Sequence, residues 1–177
     1  MKTILEKSFL EEVFFITEQQ LHQFVCYYET LMEWNQKMNL TAIEEPEEVA
    51  YKHFVDSLCL LRVMPEIAQK TMIDIGTGAG FPGIPLKIME PELQLTLFDS
   101  LQKRITFLQE VCQKLQLRHV TMIHGRAEEF GIKSDYRGTY DLATARAVAR
   151  MPVLLELCLP FIKKGGIFIA LKGPELE

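Results

Sequence analysis

The sequence predicts an α/β protein, a doubly wound and mostly parallel sheet preceded by a helical extension. Three observations carry this. Five short apolar or β-rich runs, "TMIDI", "QLTLFD", "VTMIH", "YDLATA" and "GIFIAL", alternate with stretches of helical rhythm. A glycine-rich turn, "GTGAGFPG", follows the first run at once, whereas the first 69 residues read as helical. Strands alternating with helices imply right-handed crossovers and parallel pairing. The chain therefore divides into a helical segment, residues 1–69, and a core, residues 70–177.

The elements follow in order. "MKTILEKSFLEEVFF" is interrupted by Glu6, Glu11 and Glu12, so it is not read as a secretory signal. In "TEQQLHQFVCYYETLMEWNQKMNL", Leu21, Phe24, Val25, Tyr28, Leu31 and Met32 recur at three- and four-residue spacing. That spacing makes one apolar helix face, with Thr17 placed as its N-cap. "PEEVAYKHFVDSLCLLRV" carries Pro46 in its first turn, two acids behind it, and Val49, Phe54, Leu58 and Leu61 as its apolar side. Neither helix is stable alone, so both must pack on something. Within the core, the clearest helices are "LQKRITFLQEVCQKLQL" and "VARMPVLLELCLPFIKK".

Composition narrows the class. The 177 residues fit one domain with a modest extra segment, and 48% hydrophobic content suffices for a buried core. A net charge of −5 argues against non-specific nucleic-acid binding by overall charge, though a local basic face stays open. Cys26, Cys59, Cys112 and Cys158 form no C-x-x-C pair and lie in apolar helical stretches, which predicts reduced, buried thiols. No run approaches the roughly 18 apolar residues of a membrane span, so the expected location is the cytoplasm. His22, His53, His119 and His124 have no metal-ligand spacing, and no G-x-S-x-G elbow is present.

The glycine turn is the centre of the functional reading. It holds Gly76-x-Gly78-x-Gly80 and, overlapping it, Gly78-x-Gly80-x-x-Gly83. Glycine after a first strand lets the backbone turn tightly and a ligand approach closely, and Pro82 and Pro85 suit the first turn of the next helix. Asp74 lies inside the end of that strand, two residues before the first glycine, where a negative charge would repel a pyrophosphate and favour a cationic or zwitterionic cofactor. Asp99 closes the second strand, placed to take both hydroxyls of a ribose. That role is common to NAD and S-adenosylmethionine. "HGRAEEF" puts small and polar residues where an adenine edge would lie. The fourth strand ends in Arg146, beside the crevice, suited to a methionine carboxylate or a substrate phosphate.

Absent patterns matter too. There is no Asp/Asn-Pro-Pro-Tyr/Phe motif for exocyclic amines, and no strand-end cysteine to serve as a nucleophile. A methyltransferase of this kind would act on an atom needing neither a base nor a covalent intermediate. Nitrogen 7 of guanine, with a lone pair and no proton, meets that requirement, and catalysis would rest on proximity and orientation. An NAD-dependent oxidoreductase using the second glycine frame is the alternative enzyme. A cofactor-sensing module without catalysis is the alternative binding protein.

"WNQKMNLTAI", "HFVDSL", "IDIGTGAGFPGIPLKI", "DSLQKRITFL", "RAEEF" and "TARAVA", in this order, resemble the RsmG (GidB) family. The resemblance covers nearly the whole chain. It implies a Rossmann-like S-adenosylmethionine-dependent methyltransferase that makes 7-methylguanosine in bacterial 16S ribosomal RNA, with the small ribosomal subunit as partner. It implies no catalytic side chain, no metal and no membrane. Cofactor contacts carried over from the family fall on Gly76 and Phe81 of the turn, on Ala127 and Glu128, and on Arg146; Gly78 of the same turn and Asp99 in its ribose role complete the expected cofactor site. It also suggests roles near the site for "NLT" (Asn39 to Thr41) and "HFVDS" (His53 to Ser57), equally readable as caps and packing. Lys103 and Arg104 are candidate phosphate contacts. The family continues past "ALKGPELE" with further strands and a basic tail, so a C-terminally shortened core with an open sheet edge is expected. Whether a shortened chain is active, and in what oligomeric state, is left open.

Overall fold

The helical front comprises α1 (Lys2–Glu11), α2 (Glu18–Asn35) and a nearly continuous run: α3 (Pro46–Val49), a π-helical turn (Ala50–Val55), α4 (Asp56–Leu58) and α5 (Leu60–Val63). The core alternates: β1 (Thr71–Ile75), α6 (Gly83–Met89), β2 (Gln94–Asp99), α7 (Gln102–Lys114), β3 (Val120–His124), α8 (Ala127–Phe130), β4 (Tyr140–Arg146), α9 (Met151–Cys158) and β5 (Ile162–Leu171). The computed structural model describes residues 1–146 and 149–171. Ala147 and Val148 of "TARAVA", and residues 172–177 of the expected core, lie outside the described residues.

The strands form one sheet in the order β3-β2-β1-β4-β5, and all four pairings are parallel. Both faces are covered, as a parallel sheet requires. Because side chains alternate across a strand, Met72, Leu95, Leu97 and Leu142 join the core shared with the helical front, α6 and α7. Ile73, Ile75, Phe98, Ala143 and Ala145 join the opposite core, with Leu154, Cys158 and Phe161 from the α9 side. The chain winds outward from β1 to β3, then returns to place β4 on the other side of β1. That reversal opens a crevice at the carboxyl ends of β1 and β4.

The front is fastened to the core by specific groups. Thr17 and Gln20 make a reciprocal capping box at the start of α2. The Gln20 amide also donates to the Ile88 and Met89 carbonyls at the end of α6, at 3.1 and 3.3 Å. A chain of aromatic contacts runs from α1 to the glycine turn. Phe9 meets Phe24 at 4.9 Å, Phe24 meets Phe54 at 5.1 Å, and Phe54 meets Phe81 at 5.9 Å between centroids. Each of these buried rings contributes roughly 1.5–3 kcal/mol of transfer free energy. The front thus has the partner that its apolar faces demanded.

Two expectations are corrected. The helix read over residues 148–164 is shorter: α9 stops at Cys158, a 3-10 turn covers Leu159–Phe161, and β5 already begins at Ile162. Pro160 lies inside that 3-10 turn, and its missing N–H and ring stop α9 from continuing. "RAEEF" contains a short helix, α8. Cys112 and Cys158 are buried, but Cys26 and Cys59 are partly exposed; all four are free thiols.

Candidate active site

The site is built around the turn after β1. Gly76, Gly78 and Gly80 all have positive φ, at 67°, 60° and 97°. L-residues seldom adopt this region, which accounts for glycine at each of the three positions. The Gly76 and Thr77 N–H groups both donate to the Phe98 carbonyl at 2.8 and 3.1 Å, tying the turn to β2. A Cβ placed on Gly78 would meet only the Gly76 carbonyl, at 3.9 Å, so the space beside it is open. Gly83 has another role: a Cβ there would stand 2.8 Å from Leu97 Cδ2 and 2.9 Å from Asp74 Oδ2. Only glycine lets α6 approach the sheet this closely.

Asp74 faces inward. It is fully buried, with Oδ2 accepting from the Thr77 hydroxyl at 2.7 Å and the Gly83 N–H at 3.0 Å, and Oδ1 from the Thr144 hydroxyl at 3.2 Å. Burial raises its pKa to about 6, against the opposing pull of these bonds. The expectation that its charge screens the ligand is therefore corrected. Asp74 braces the turn from behind, its carboxylate turned to Thr77, Gly83 and Thr144 rather than to the crevice.

Asp99 lies at the end of β2, where it was expected, and is only 1% exposed. Its Oδ2 accepts from the Gly78 N–H at 2.9 Å and from Arg104 Nη1 at 3.3 Å, and Oδ1 accepts from the Leu101 N–H at 2.9 Å. A carboxylate accepts about four bonds, so a ribose competes with Arg104 for this group. Arg104 is consequently held as an ion partner of Asp99, while Lys103 beside it is exposed.

Ala127 is buried at the start of α8, level with the ends of β2 and β3, and Glu128 is exposed beside it, paired with Arg126 at 3.6 Å. Phe81 is 3% exposed, its ring packed on Tyr27, His53 and Phe54. What its ring supplies is a platform: His53 stacks on it at 4.6 Å and the Arg146 guanidinium carbon lies 4.8 Å from its centroid. Asp74 pairs with Thr144 across β1 and β4, so Arg146 stands level with Gly76. Gly76 and Arg146 therefore flank the switch point.

The helical front closes this side of the crevice. Arg146 Nη1 donates to the Lys52 carbonyl at 3.3 Å and lies 3.4 Å from Asp56 Oδ2, and Nη2 is 3.3 Å from His53 Nδ1. His53 Nε2 is 2.7 Å from the Thr41 hydroxyl. Burial and the adjacent guanidinium lower the His53 pKa to about 4, so the ring is neutral at neutral pH. In the "NLT" turn it is Thr41 that reaches the site. Asn35 shapes that turn by accepting from the Leu40 and Thr41 N–H groups at 2.8 and 3.0 Å.

Sequence reasoning missed Tyr27, whose buried hydroxyl donates to the Ala79 carbonyl inside the glycine turn. The apolar face read for α2 took Tyr28 and passed over Tyr27, whose partner lies 52 positions away. It also gave no sign of Thr144 as a brace on Asp74.

Three positive-φ glycines with open space beside Gly78, one carboxylate and one guanidinium around a strand-order reversal fit S-adenosylmethionine. That cofactor combines a ribose, a cationic sulfur and an amino-acid carboxylate. Among the described residues, no group of three His, Cys, Asp or Glu is arranged to hold a metal ion. No described helix is long and apolar enough to cross a membrane.

Known proteins agree with this geometry. A crystal structure of a candidate S-adenosyl-L-methionine-dependent methyltransferase from Methanococcus maripaludis matches the fold with a TM-score of 0.60. It is 15% identical, over 82% of this chain and 62% of that one. An S-adenosyl-L-homocysteine complex of a methyltransferase from Thiobacillus denitrificans gives 0.55 at 20% identity, over 70% and 52%. At these identities the likeness speaks for the fold alone. Closer in sequence is the ribosomal RNA small subunit methyltransferase G of Alkaliphilus metalliredigens, 54% identical over 176 residues, 99% of this chain and 74% of that protein. The family model described as rRNA small subunit methyltransferase G (GidB) matches residues 20–177. The chain belongs to that methyltransferase family.

Proposed function

We propose that this chain transfers a methyl group from S-adenosylmethionine to nitrogen 7 of a guanine in 16S ribosomal RNA, with the small ribosomal subunit as its partner. The observation that carries the reading is the glycine turn facing Arg146 across the β1/β4 switch point. When bound, S-adenosylmethionine supplies a methyl group on a positively charged sulfur. The residues proposed to hold it are Gly76, Gly78, Phe81, Asp99, Ala127, Glu128 and Arg146.

The chemistry of the surrounding side chains supports nitrogen 7 as the acceptor. Both ring nitrogens of His53 have partners, and the nearby carboxylates Asp56 and Asp99 are each paired with an arginine. Such a site orients its reactants and removes no proton. A guanine N7 needs nothing more, since its lone pair is already free. Rate enhancement then comes from holding donor and acceptor in line. On this reading residues 1–69 form a helical unit packed on a core of residues 70–177, and the protein works in the cytoplasm, where its ribosomal substrate is.

The test is transfer of a labelled methyl group to 30S particles lacking 7-methylguanosine, with the modified base identified after digestion. Label on guanine N7 is the expected result. Saturable cofactor binding with no label on any RNA would overturn the reading.

A further inference from the structure

Arg146 comes from β4, yet the polar partners described for it all belong to one stretch of the helical front. The Lys52 carbonyl and His53 are on the π-helical turn, and Asp56 follows directly. π-Turns are rare and recur at functional sites, because the extra residue redirects side chains and frees carbonyls. Here the Lys52 carbonyl of the π-turn accepts from Arg146.

The direction of each bond around His53 follows from what the groups can do. A guanidinium only donates, so Nδ1 must accept from Arg146 Nη2. The ring proton then sits on Nε2 and is donated to Thr41 Oγ1, which also accepts the Ile43 N–H at 3.0 Å. The other tautomer would turn Nδ1–H toward the Lys52 carbonyl at 3.2 Å and set two donors against each other at Arg146. The ring's stacking on Phe81, 22° from parallel, fixes the remaining freedom. Its burial keeps it neutral, hence an acceptor, throughout the neutral range.

We propose that His53 is a positioning residue: locked by Thr41 and Phe81, it accepts from Arg146 and aims the guanidinium at an anionic group in the crevice. The proposal rests on the methyltransferase reading above. A guanidinium has five donors, and its contacts with the front leave some of them for a ligand oxyanion. That oxyanion is either the carboxylate of the methyl donor or a phosphate of the RNA.

The experiment compares His53→Asn, His53→Leu, Arg146→Ala and the Leu/Ala double variant with the wild type. Asparagine places an acceptor oxygen near the position of Nδ1, whereas leucine fills the space and accepts nothing. Measured are calorimetric binding of S-adenosylhomocysteine, kcat and KM for methyl transfer to 30S particles, and the ring-nitrogen NMR shifts of His53. His53→Leu should lose about tenfold to a hundredfold, as removing a supporting partner usually does. His53→Asn should stay within about fivefold of wild type, and the double variant should be no worse than Arg146→Ala. Loss in homocysteine affinity assigns the oxyanion to the donor carboxylate. Loss confined to KM for the particle assigns it to an RNA phosphate. The NMR shifts should show the Nε2–H tautomer, with the signal moved by Arg146→Ala.

A Nδ1–H tautomer, an asparagine variant as weak as leucine, or losses that multiply in the double variant would each overturn the proposal. If the wild type itself transfers no methyl group, the functional reading fails, and the tautomer still decides whether His53 holds Arg146.

Discussion

Asp74→Asn isolates the carboxylate buried behind the glycine turn. The pKa of Asp74 rises from 3.8 to about 6 on folding, and at about 1.4 kcal/mol per pH unit this is worth about 3 kcal/mol. The sign follows from proton counting. Between pH 4 and 6 the folded state holds a proton that the unfolded state has released, so stability falls as pH rises through this window. The contribution is complete below about pH 4 and gone above about pH 6. His53 runs the other way, because its folded value of about 4 lies below the ordinary 6.5. Its stability is full above pH 6.5 and declines as pH falls toward 4. The two slopes oppose each other, so the wild-type profile alone hides both. The difference between wild type and variant does not. Asparagine can keep its oxygen on the Gly83 N–H and the Thr77 hydroxyl and give its amide to Thr144 Oγ1. Urea unfolding at pH 4 to 8, followed by circular dichroism and the single tryptophan, Trp34, measures the gap. The wild type should gain about 3 kcal/mol on the variant as pH falls from 7.5 to 4. A gap that stays constant would refute the reasoning, because it would mean that Asp74 ionises in the fold as it does in water.

Other outcomes follow from the same geometry. Tyr27→Phe removes the donor to the buried Ala79 carbonyl; it should cost about 1–3 kcal/mol in denaturant unfolding and weaken cofactor binding in calorimetry. Gly80→Ala puts a methyl group 2.6 Å from Ile84 Cδ1 and 2.7 Å from the Tyr27 hydroxyl at a φ of 97°, so the melting temperature should drop sharply; an unchanged melt would show that the turn yields. Gly76→Asp sets a carboxylate on a positive-φ position at the mouth of the crevice, and S-adenosylhomocysteine binding should vanish. Retained affinity there would remove the turn from the binding site.

The sheet was legible for a physical reason. Strands buried on both faces must be apolar almost throughout, and "TMIDI" and "QLTLFD" match β1 and β2 end to end; "VTMIH" matches β3, an edge strand in which only Ile123 is buried. β5 was harder. Lys163 and Lys164 read as a cationic helix end, and only Pro160 hinted that the helix had already stopped. The glycine turn was visible because its backbone admits little else, and Asp99 because strand ends in this fold face the crevice. Asp74 was misread, since the effect of a charge depends on what buries it, and burial is set by α6 and Thr144. His53 and Thr41 stood within recognisable motifs, but their work depends on Arg146, 93 positions from His53. No local pattern encodes a partner so far along the chain.

That separation also orders events during synthesis. The glycine turn and its brace from Tyr27 join residues 27 and 79, whereas the grip on Arg146 joins residues 52 and 146. Chains emerge N-terminus first, and distant contacts form late because long loops must close before they are rewarded. A nascent chain short of β4 therefore has its turn but only one wall of its crevice. It becomes competent to hold its ligand only when the fourth strand slots in beside the first. Competence thus cannot precede synthesis of the fourth strand.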